Sequence, residues 1–334
     1  MKAVFFETAP WERKFLTQAL KKSGLKIQFV SEPLHESTVS AARDADIISV
    51  FIYSQVNRAL LAKLKKVRLI ATRSTGFDHI DLRVCKTRKI AVSNVPSYGE
   101  NTVAEHTFAL ILALSRNLHK AYVRTTKGDF SLEGLQGFDL KGKTIGVVGA
   151  GKIGLHVIKM AKGFGMNVLA YDVRQNSFLS EVLDFEYVSM PELLRQSDIV
   201  SLHVPYAPDS HHMINRKTFS HMKRGALLIN TARGGLVDTD ALVWALDQKI
   251  ISGAGLDVLE GEELIKEEGQ LVKKDFSKKK LATLLKNHIL LHHENVVITP
   301  HIAFDSREAL QRILETTAGN IQRFLENNPV NLVN

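Results

Sequence analysis

Only one cysteine, Cys85, occurs in the 334 residues. A single thiol excludes an internal disulfide framework and fits a reducing compartment, so a cytoplasmic location is expected. Long apolar runs are missing too. Thr107 to Leu114 is apolar, but it is far short of the roughly 18 residues of a membrane span, and Glu105 and Arg116 flank it. No membrane partner is therefore expected. The opening MKAVFFETAPWERK has too brief an apolar stretch for a secretory leader, and acids follow at once. Metal signatures are absent as well, with no HExxH and no cysteine pair. His211-His212 and His292-His293 have no third ligand at a convincing spacing, so no metal is expected. Cys85 falls in a helical pattern far in sequence from every catalytic strand end and reads as packing. Internal repeats and low-complexity tracts are also lacking.

The charge balance is +9, but its pattern does not suggest nucleic acid. Lysines are scattered, and the richest stretch, residues 260–286, holds seven lysines against six acids. That stretch reads as a solvated surface, and nucleic acid is not an expected partner. A modest positive field would help to attract an anionic substrate. Hydrophobic content of 45% and charged content of 24% are ordinary for a globular protein, and the length suits two domains.

Residues 1–100 alternate between two periodicities. Lys2–Phe6, Lys26–Val30, Asp46–Ile52, Arg68–Thr72 and Ile90–Val95 read as strands. Trp11–Lys22, Thr38–Asp44, Asn57–Lys66 and His79–Thr87 read as helices between them. Such alternation predicts a parallel sheet with helices on both faces. A single long helix is predicted from Asn101 to about Arg124, then a loop from Gly128 to Gly142. Ser306–Asn327 reads as an amphipathic helix with Leu310, Ile313, Leu314, Ile321 and Leu325 as its apolar stripe.

The densest signal lies in residues 144–172, TIGVVGAGKIGLHVIKMAKGFGMNVLAYD. A strand, Thr144–Val148, runs straight into Gly149, Gly151 and Gly154 in G-x-G-x-x-G spacing. A helix from Lys152 to Phe164 and a second strand, Val168–Ala170, lead to Asp172. Gly149 permits a tight turn, Gly151 admits the pyrophosphate, and Gly154 lets helix and strand pack closely. The helix N-terminus offers N–H groups to the phosphates. Asp172, 23 residues after Gly149, stands where an acid accepts hydrogen bonds from the adenosine ribose. A dinucleotide is the expected cofactor.

Further strands are predicted at Asp198–Val204, Ala226–Thr231, Ser252–Asp257 and Asn295–Thr299. Arg233, Glu262 and His301 stand just beyond three of them. In an open parallel sheet, ligands bind outside the carboxyl ends of the strands. The three residue types suit reduction of a 2-oxo acid. Arg233 offers a fork of donors for carboxylate and ketone oxygens, and His301 can protonate the ketone oxygen. Glu262 would orient the imidazole and favour its charged form. Singly, each has a structural alternative: a turn cap, a loop charge, a satisfied carbonyl.

The strings NTARGGLVD (230–238), GAGLDVLEGE (253–262) and NVVITPHIAFDS (295–306) resemble the D-2-hydroxyacid dehydrogenase family. ATRSTGFDHIDL (71–82) and NVPSYGENTVAEHT (94–107) are similar to its substrate-domain signatures. The opening MKAVFFETAPWERKF and the insertion between Glu262 and Asn295 resemble those of fermentative D-lactate dehydrogenases. The resemblance implies two doubly wound α/β domains, a flavodoxin-like substrate domain (1–100 and 300–334) and a Rossmann NAD-binding domain (101–299). The helix from Asn101 would be the hinge and the contact of a homodimer. Arg233 would bind substrate, His301 would be the acid/base and Glu262 its partner. The backbone N–H groups of Ser74, Thr75, Gly76 and Phe77 would hold the substrate carboxylate, with Tyr98 nearby. Beside the three glycines, Lys152, Ile153, Asp172, Val204, Pro205, Ser210, Thr231, Ala232 and Asp257 would contact NAD. Pyruvate reduced to D-lactate is the reaction implied. Glyoxylate, hydroxypyruvate or another 2-oxo acid, or an NAD-sensing corepressor-like binding role, are the alternatives. Two departures bear on the substrate: Gly99-Glu100 replaces a frequent Ser-Pro, and Ile302 replaces a frequent Gln. Asp172 favours NAD over NADP, and Arg174 reads as a solvated loop charge.

Overall fold

The computed structural model describes residues 1–262 and 278–334. The middle of the lysine- and acid-rich stretch, and with it part of the insertion after Glu262, lies outside the described residues. The chain divides into two compact units, Met1–Gly99 with Asp305–Asn334, and Glu100–Phe304.

The first unit is built on five parallel strands: β1 (Lys2–Phe5), β2 (Lys26–Phe29), β3 (Ile47–Val50), β4 (Leu69–Thr72) and β5 (Ala91–Ser93). Their order is β2-β1-β3-β4-β5, that of a flavodoxin-like sheet. Alternate side chains of each strand enter opposite cores, because the side-chain period of a strand is two. Ala3 and Phe5 pack with Leu16 of the helix Pro10–Ala19, with Leu20 that caps it, and with Leu314, Ala318 and Ile321 of the helix Arg307–Leu325. Val4 and Phe6 face the other way, toward Leu60, Leu61 and Cys85 of the helices Arg58–Lys63 and Leu82–Thr87. Burial, and secondarily the Asp81 carboxylate, pushes the Cys85 thiol up to about 11. That thiol packs and is a poor nucleophile. The expected helix at 38–44 is only a 3-10 turn, Val39–Ala42.

The second unit holds seven parallel strands: β6 (Thr144–Val148), β7 (Asn167–Tyr171), β8 (Glu186–Tyr187), β9 (Ile199–Leu202), β10 (Ala226–Asn230), β11 (Ile251–Leu256) and β12 (Val296–Ile298). Their order, β12-β11-β10-β9-β6-β7-β8, is the doubly wound arrangement, and it reverses direction between β6 and β9. Ile145, Val147, Val168 and Ile199 pack against Val157, Ile158 and Ala161 of the helix Lys152–Gly163 and against Ile111 and Leu114. Val148, Val200 and Leu228 pack on the other face against Leu193, Phe219 and Leu242. The two-residue strand β8 is too short to show a period and was not expected.

One long helix was predicted from Asn101 to Arg124, but two are present, Glu100–Ser115 and Leu118–Thr125. Asn117 interrupts them in the left-handed region (φ +50), and its side-chain amide donates to the Gln136 carbonyl at 3.1 Å. Asn tolerates this conformation, so the apolar period continues across the break while the helix does not. The chain re-enters the first unit at Asp305, beyond the expected residue 300. The cause is Asp257 of the second unit, whose carboxylate holds the amides of Ile302 and Ala303. No described helix is long and apolar enough to cross a membrane.

Leu314 is 1% exposed in the core between the last helix and the first sheet. Leu314→Ala should cost about 2–5 kcal/mol. Hydrogen exchange should quicken in 1–99 and leave β6, β9 and β10 protected; equal loosening of both units would contradict this architecture.

Candidate active site

The strand order reverses between β6 and β9, and the glycine fingerprint sits at that point. Gly149 leaves β6 at φ +97, and a Cβ there would lie 2.8 Å from the His203 carbonyl after β9. Only glycine satisfies both constraints. A Cβ on Gly154 would collide with the Gly149 carbonyl oxygen, so the helix rests directly on the turn. A Cβ on Gly151 would meet nothing within 4 Å, which leaves the backbone approachable at the helix N-terminus. Lys152 begins that helix with its ammonium 3.7 Å from Glu100, and Ile153 follows half-buried. Asp172 follows β7. One carboxylate oxygen accepts from the Ala150 amide and the other from the Arg174 amide, each at 2.8 Å. The acid therefore braces the glycine turn as well as standing beside it.

Arg233 lies three residues beyond the end of β10. Its guanidinium donates to the Ala232 carbonyl at 2.7 Å. Asn230, 1% exposed, staples the turn: its oxygen accepts from the Ala232 amide at 3.0 Å, and its amide donates to the Arg233 carbonyl at 2.9 Å. Sequence reasoning passed over Asn230, although an Asx residue at a strand end is a turn signal. Gly234 presses onto the Leu259 carbonyl so closely that a side chain would not fit. The Arg233 turn thereby rests on the turn that carries Glu262.

Glu262 and His301 meet directly, with Oε1 2.7 Å from Nδ1. A carboxylate only accepts, so Nδ1 carries the hydrogen and Nε2 is left for chemistry. The His301 backbone is left-handed (φ +58), a conformation costing a non-glycine residue about 1–2 kcal/mol. Its amide donates to the carbonyls of Asp257 and Thr299, both at 2.9 Å. The Phe304 ring stands edge-on to the imidazole, with centroids 6.3 Å apart.

Asp257 is 1% exposed. Its carboxylate accepts from Thr299 Oγ1 at 2.5 Å and from the Ile302 and Ala303 amides, each at 2.9 Å; His106 Nε2 lies 3.5 Å away. Burial alone would raise its pKa, but the hydrogen bonds from His106, Thr299, Ala303 and Ile302 outweigh that and hold it below the usual carboxylate range. Asp257 was read as a cofactor contact, yet its carboxylate is spent on the loop that presents His301. Ser210 and Thr231 are likewise committed. The Ser210 hydroxyl donates to the Pro205 carbonyl at 3.0 Å, and the Thr231 hydroxyl lies 3.0 Å from that of Thr107. Val204 and Ala232 are half-buried, and Pro205 is exposed. His212 pairs with Glu260 at 2.8 Å, and among the described residues no three potential metal ligands gather.

In the first unit the loop after β4 turns its carbonyls inward. The Ser74 carbonyl accepts from the Val95 amide at 3.0 Å, that of Thr75 from Asn94 Nδ2 at 2.8 Å, and that of Gly76 from Ser74 Oγ at 2.6 Å. In a trans peptide the next N–H points opposite to the carbonyl. The amides of Thr75, Gly76 and Phe77 are thus turned outward, an arrangement suited to an anion. Buried Arg73 fastens the base of this loop by donating to the carbonyls of Phe6 (2.7 Å) and Glu7 (2.8 Å) and to Ser49 Oγ (3.1 Å). Phe77 packs against the core of its unit, and Tyr98 is half-buried.

The family model described as D-isomer specific 2-hydroxyacid dehydrogenase, NAD binding domain, matches residues 108–303. The chain belongs to the D-2-hydroxyacid dehydrogenase family. It is 37% identical to the D-lactate dehydrogenase of Escherichia coli over 323 residues, covering 96% of each protein. It is 35% identical over 330 residues to the aromatic 2-oxoacid reductase of Clostridium sporogenes, covering 97% of this chain and 96% of that one. The crystal structure of D-lactate dehydrogenase from Aquifex aeolicus, complexed with NAD and lactic acid, superposes with a TM-score of 0.88 at 40% identity, covering 98% of this chain and 96% of that one. This dehydrogenase is an NAD-dependent enzyme, and the glycine turn with Asp172 fits that cofactor.

The depressed pKa of Asp257 has a pH consequence for the dehydrogenase. Its stabilisation is fully present above the unfolded value of about 4 and is lost as pH falls through the lower folded value. Asp257→Asn should cost about 2 kcal/mol near neutrality, within the range for hydrogen bonds to a charged group. Urea melts between pH 6 and 3 should show the gap to wild type constant down to about pH 4 and narrowing below it. A gap that widens on acidification would contradict the assignment.

Proposed function

We propose that the enzyme reduces pyruvate to D-lactate, with Arg233, Glu262 and His301 as its catalytic group. The observation that carries this reading is the 2.7 Å bond between Glu262 and His301 Nδ1, on an imidazole displayed at the end of β12. The glycine turn and Asp172 would hold NADH, which would supply the hydride for the ketone carbon. In the second unit the Arg233 guanidinium offers a fork of donors to carboxylate and ketone oxygens; in the first, the Thr75, Gly76 and Phe77 amides suit a carboxylate charge. His301 Nε2–H delivers the proton to the ketone oxygen, and Glu262 stabilises the imidazolium before transfer. One hydride and one proton convert the 2-oxo acid to the 2-hydroxy acid. Two relatives named as D-lactate dehydrogenases support pyruvate. Ile302, 38% exposed immediately after His301, favours a second reading, an acid with a larger apolar side chain.

Oxidation of NADH across a panel of 2-oxo acids, with chiral analysis of the product, tests both. Pyruvate should give the highest kcat/KM and D-lactate. Higher efficiency with a branched or aromatic acid would replace the first reading with the second, and NADH binding without oxidation of any acid would defeat both. His301→Ala should cut kcat by about 10²–10⁴-fold while NADH still binds. Arg233→Ala should raise KM for the acid and lower kcat. Unchanged lactate formation in both variants would discard the mechanism.

We also propose a homodimer. Leu118, Tyr122, Val123, Phe130 and Leu132 are 50–84% exposed within one short stretch of the second unit, the kind of apolar surface that a second copy would cover. Sedimentation should give twice the 37.2 kDa chain mass. Tyr122→Asp combined with Leu132→Asp should shift it to monomer. A wild-type monomer at micromolar concentration would refute the proposal.

A further inference from the structure

The helix Arg307–Leu325 buries an apolar stripe against the first sheet, yet Asn320 lies within that stripe at 2% exposure. Asn94 is 6% exposed. Burying a carboxamide is unfavourable unless each of its polar atoms is paired, and here they are paired in series. The Asn331 amide donates to Asn320 Oδ1 at 2.8 Å, and Asn320 Nδ2 donates to the Asn94 carbonyl at 2.8 Å. Asn94 Nδ2 donates to the Thr75 carbonyl at 2.8 Å, and the Asn94 amide donates back to the Asn331 carbonyl at 3.1 Å. Thr75 closes the outer end, its hydroxyl donating to the Val95 carbonyl at 2.7 Å. Arg312 of the same helix donates to the Tyr98 carbonyl farther along the Asn94 loop. Each member lies in the first unit.

We propose that Asn94 and Asn320 are positioning residues for substrate: a relay of carboxamides from the last helix holds the Thr75 carbonyl inward and so aims the Gly76 N–H at the substrate carboxylate. The inference rests on the reading that the 74–77 loop takes that carboxylate. The peptide linking Thr75 to Gly76 is planar, so fixing its carbonyl fixes its N–H. Without Asn94 Nδ2 the Thr75 carbonyl loses its partner and the peptide can rotate. Without Asn320 the Asn94 loop loses its anchor, and the same peptide is loosened from one step further away. Neither residue touches substrate, cofactor or the reacting atoms. Both act on how tightly the acid is held, and they leave the hydride and proton steps alone.

The test is steady-state kinetics of the full chain with pyruvate and NADH for Asn94→Ala, Asn320→Ala and the double variant. KM for pyruvate should rise about tenfold in each single variant, as for a lost hydrogen bond at a buried group. The KM for NADH and kcat at saturating pyruvate should stay within about twofold. Because both residues lie on one path, the double variant should fall well short of the product of the two effects. Should Asn320→Ala not fold, Asn331→Gly breaks the outer link and tolerates the left-handed backbone there (φ +53). An unchanged KM for pyruvate in folded variants, or parallel changes in both KM values, would overturn the relay alone. A wild-type chain that reduces no 2-oxo acid would overturn the relay and the functional reading together.

Discussion

The buried carboxylate of Asp257 is the constraint on which the catalytic end of the second unit depends. A charge so fully removed from water is costly unless it is well paired. Here Thr299, Ile302 and Ala303 donate to it and His106 stands beside it. Three of these partners flank His301, so the same contacts that satisfy the charge fix the loop. The left-handed backbone of His301 is a strained choice that persists only where the surroundings over-determine it. Strain of this kind in a loop that also carries an imidazole bound to a carboxylate is the pattern of a working site. The anchoring acid, the strained residue and the partner Glu262 come from two neighbouring strand ends, β11 and β12.

The two units solve one problem with different chemistry. In each, alternate strand residues fill two cores and leave the loops at the carboxyl ends of the strands available for ligands. In the second unit close approach is the device, with Gly149 against the His203 carbonyl and Gly234 against the Leu259 carbonyl. Backbone is brought to backbone, so that the Arg233 turn rests on the turn that carries Glu262 and the helix Lys152–Gly163 rests on the glycine turn. In the first unit the device is polar satisfaction. Arg73 ties the ends of β1 and β3, and the asparagines hold the loops after β4 and β5. Buried polar networks of this sort specify one arrangement because every alternative leaves a donor or acceptor unmet.

What was legible in the sequence follows from the range of each interaction. Strands announced themselves by short apolar runs, and the glycine turn by a spacing that only a strand–turn–helix unit requires. The positions of Arg233, Glu262 and His301 beyond β10, β11 and β12 could be read because each follows an apolar run within a short turn. The contacts that hold those residues could not. Asn320 and Asn94 are 226 positions apart, and Thr299 reaches Asp257 across 42. No local pattern marks such pairs. Asp257 was read as a cofactor contact from the resemblance; its hold on the His301 loop could not be read, because Thr299, Ile302 and Ala303 lie 42, 45 and 46 residues on. The break at Asn117 was missed for a similar reason: the apolar period runs through it, while its cause, the Gln136 carbonyl, lies 19 residues on.

A crystal structure of the enzyme with NAD and D-lactate bound tests the central claim most directly. The account predicts His301 Nε2 within about 3.2 Å of the lactate hydroxyl, the distance at which a proton can pass. It also predicts that Nδ1 remains on Glu262 and that the Arg233 guanidinium lies on the lactate carboxylate. A hydroxyl facing any other group, or a His301 turned away from Glu262, would contradict it.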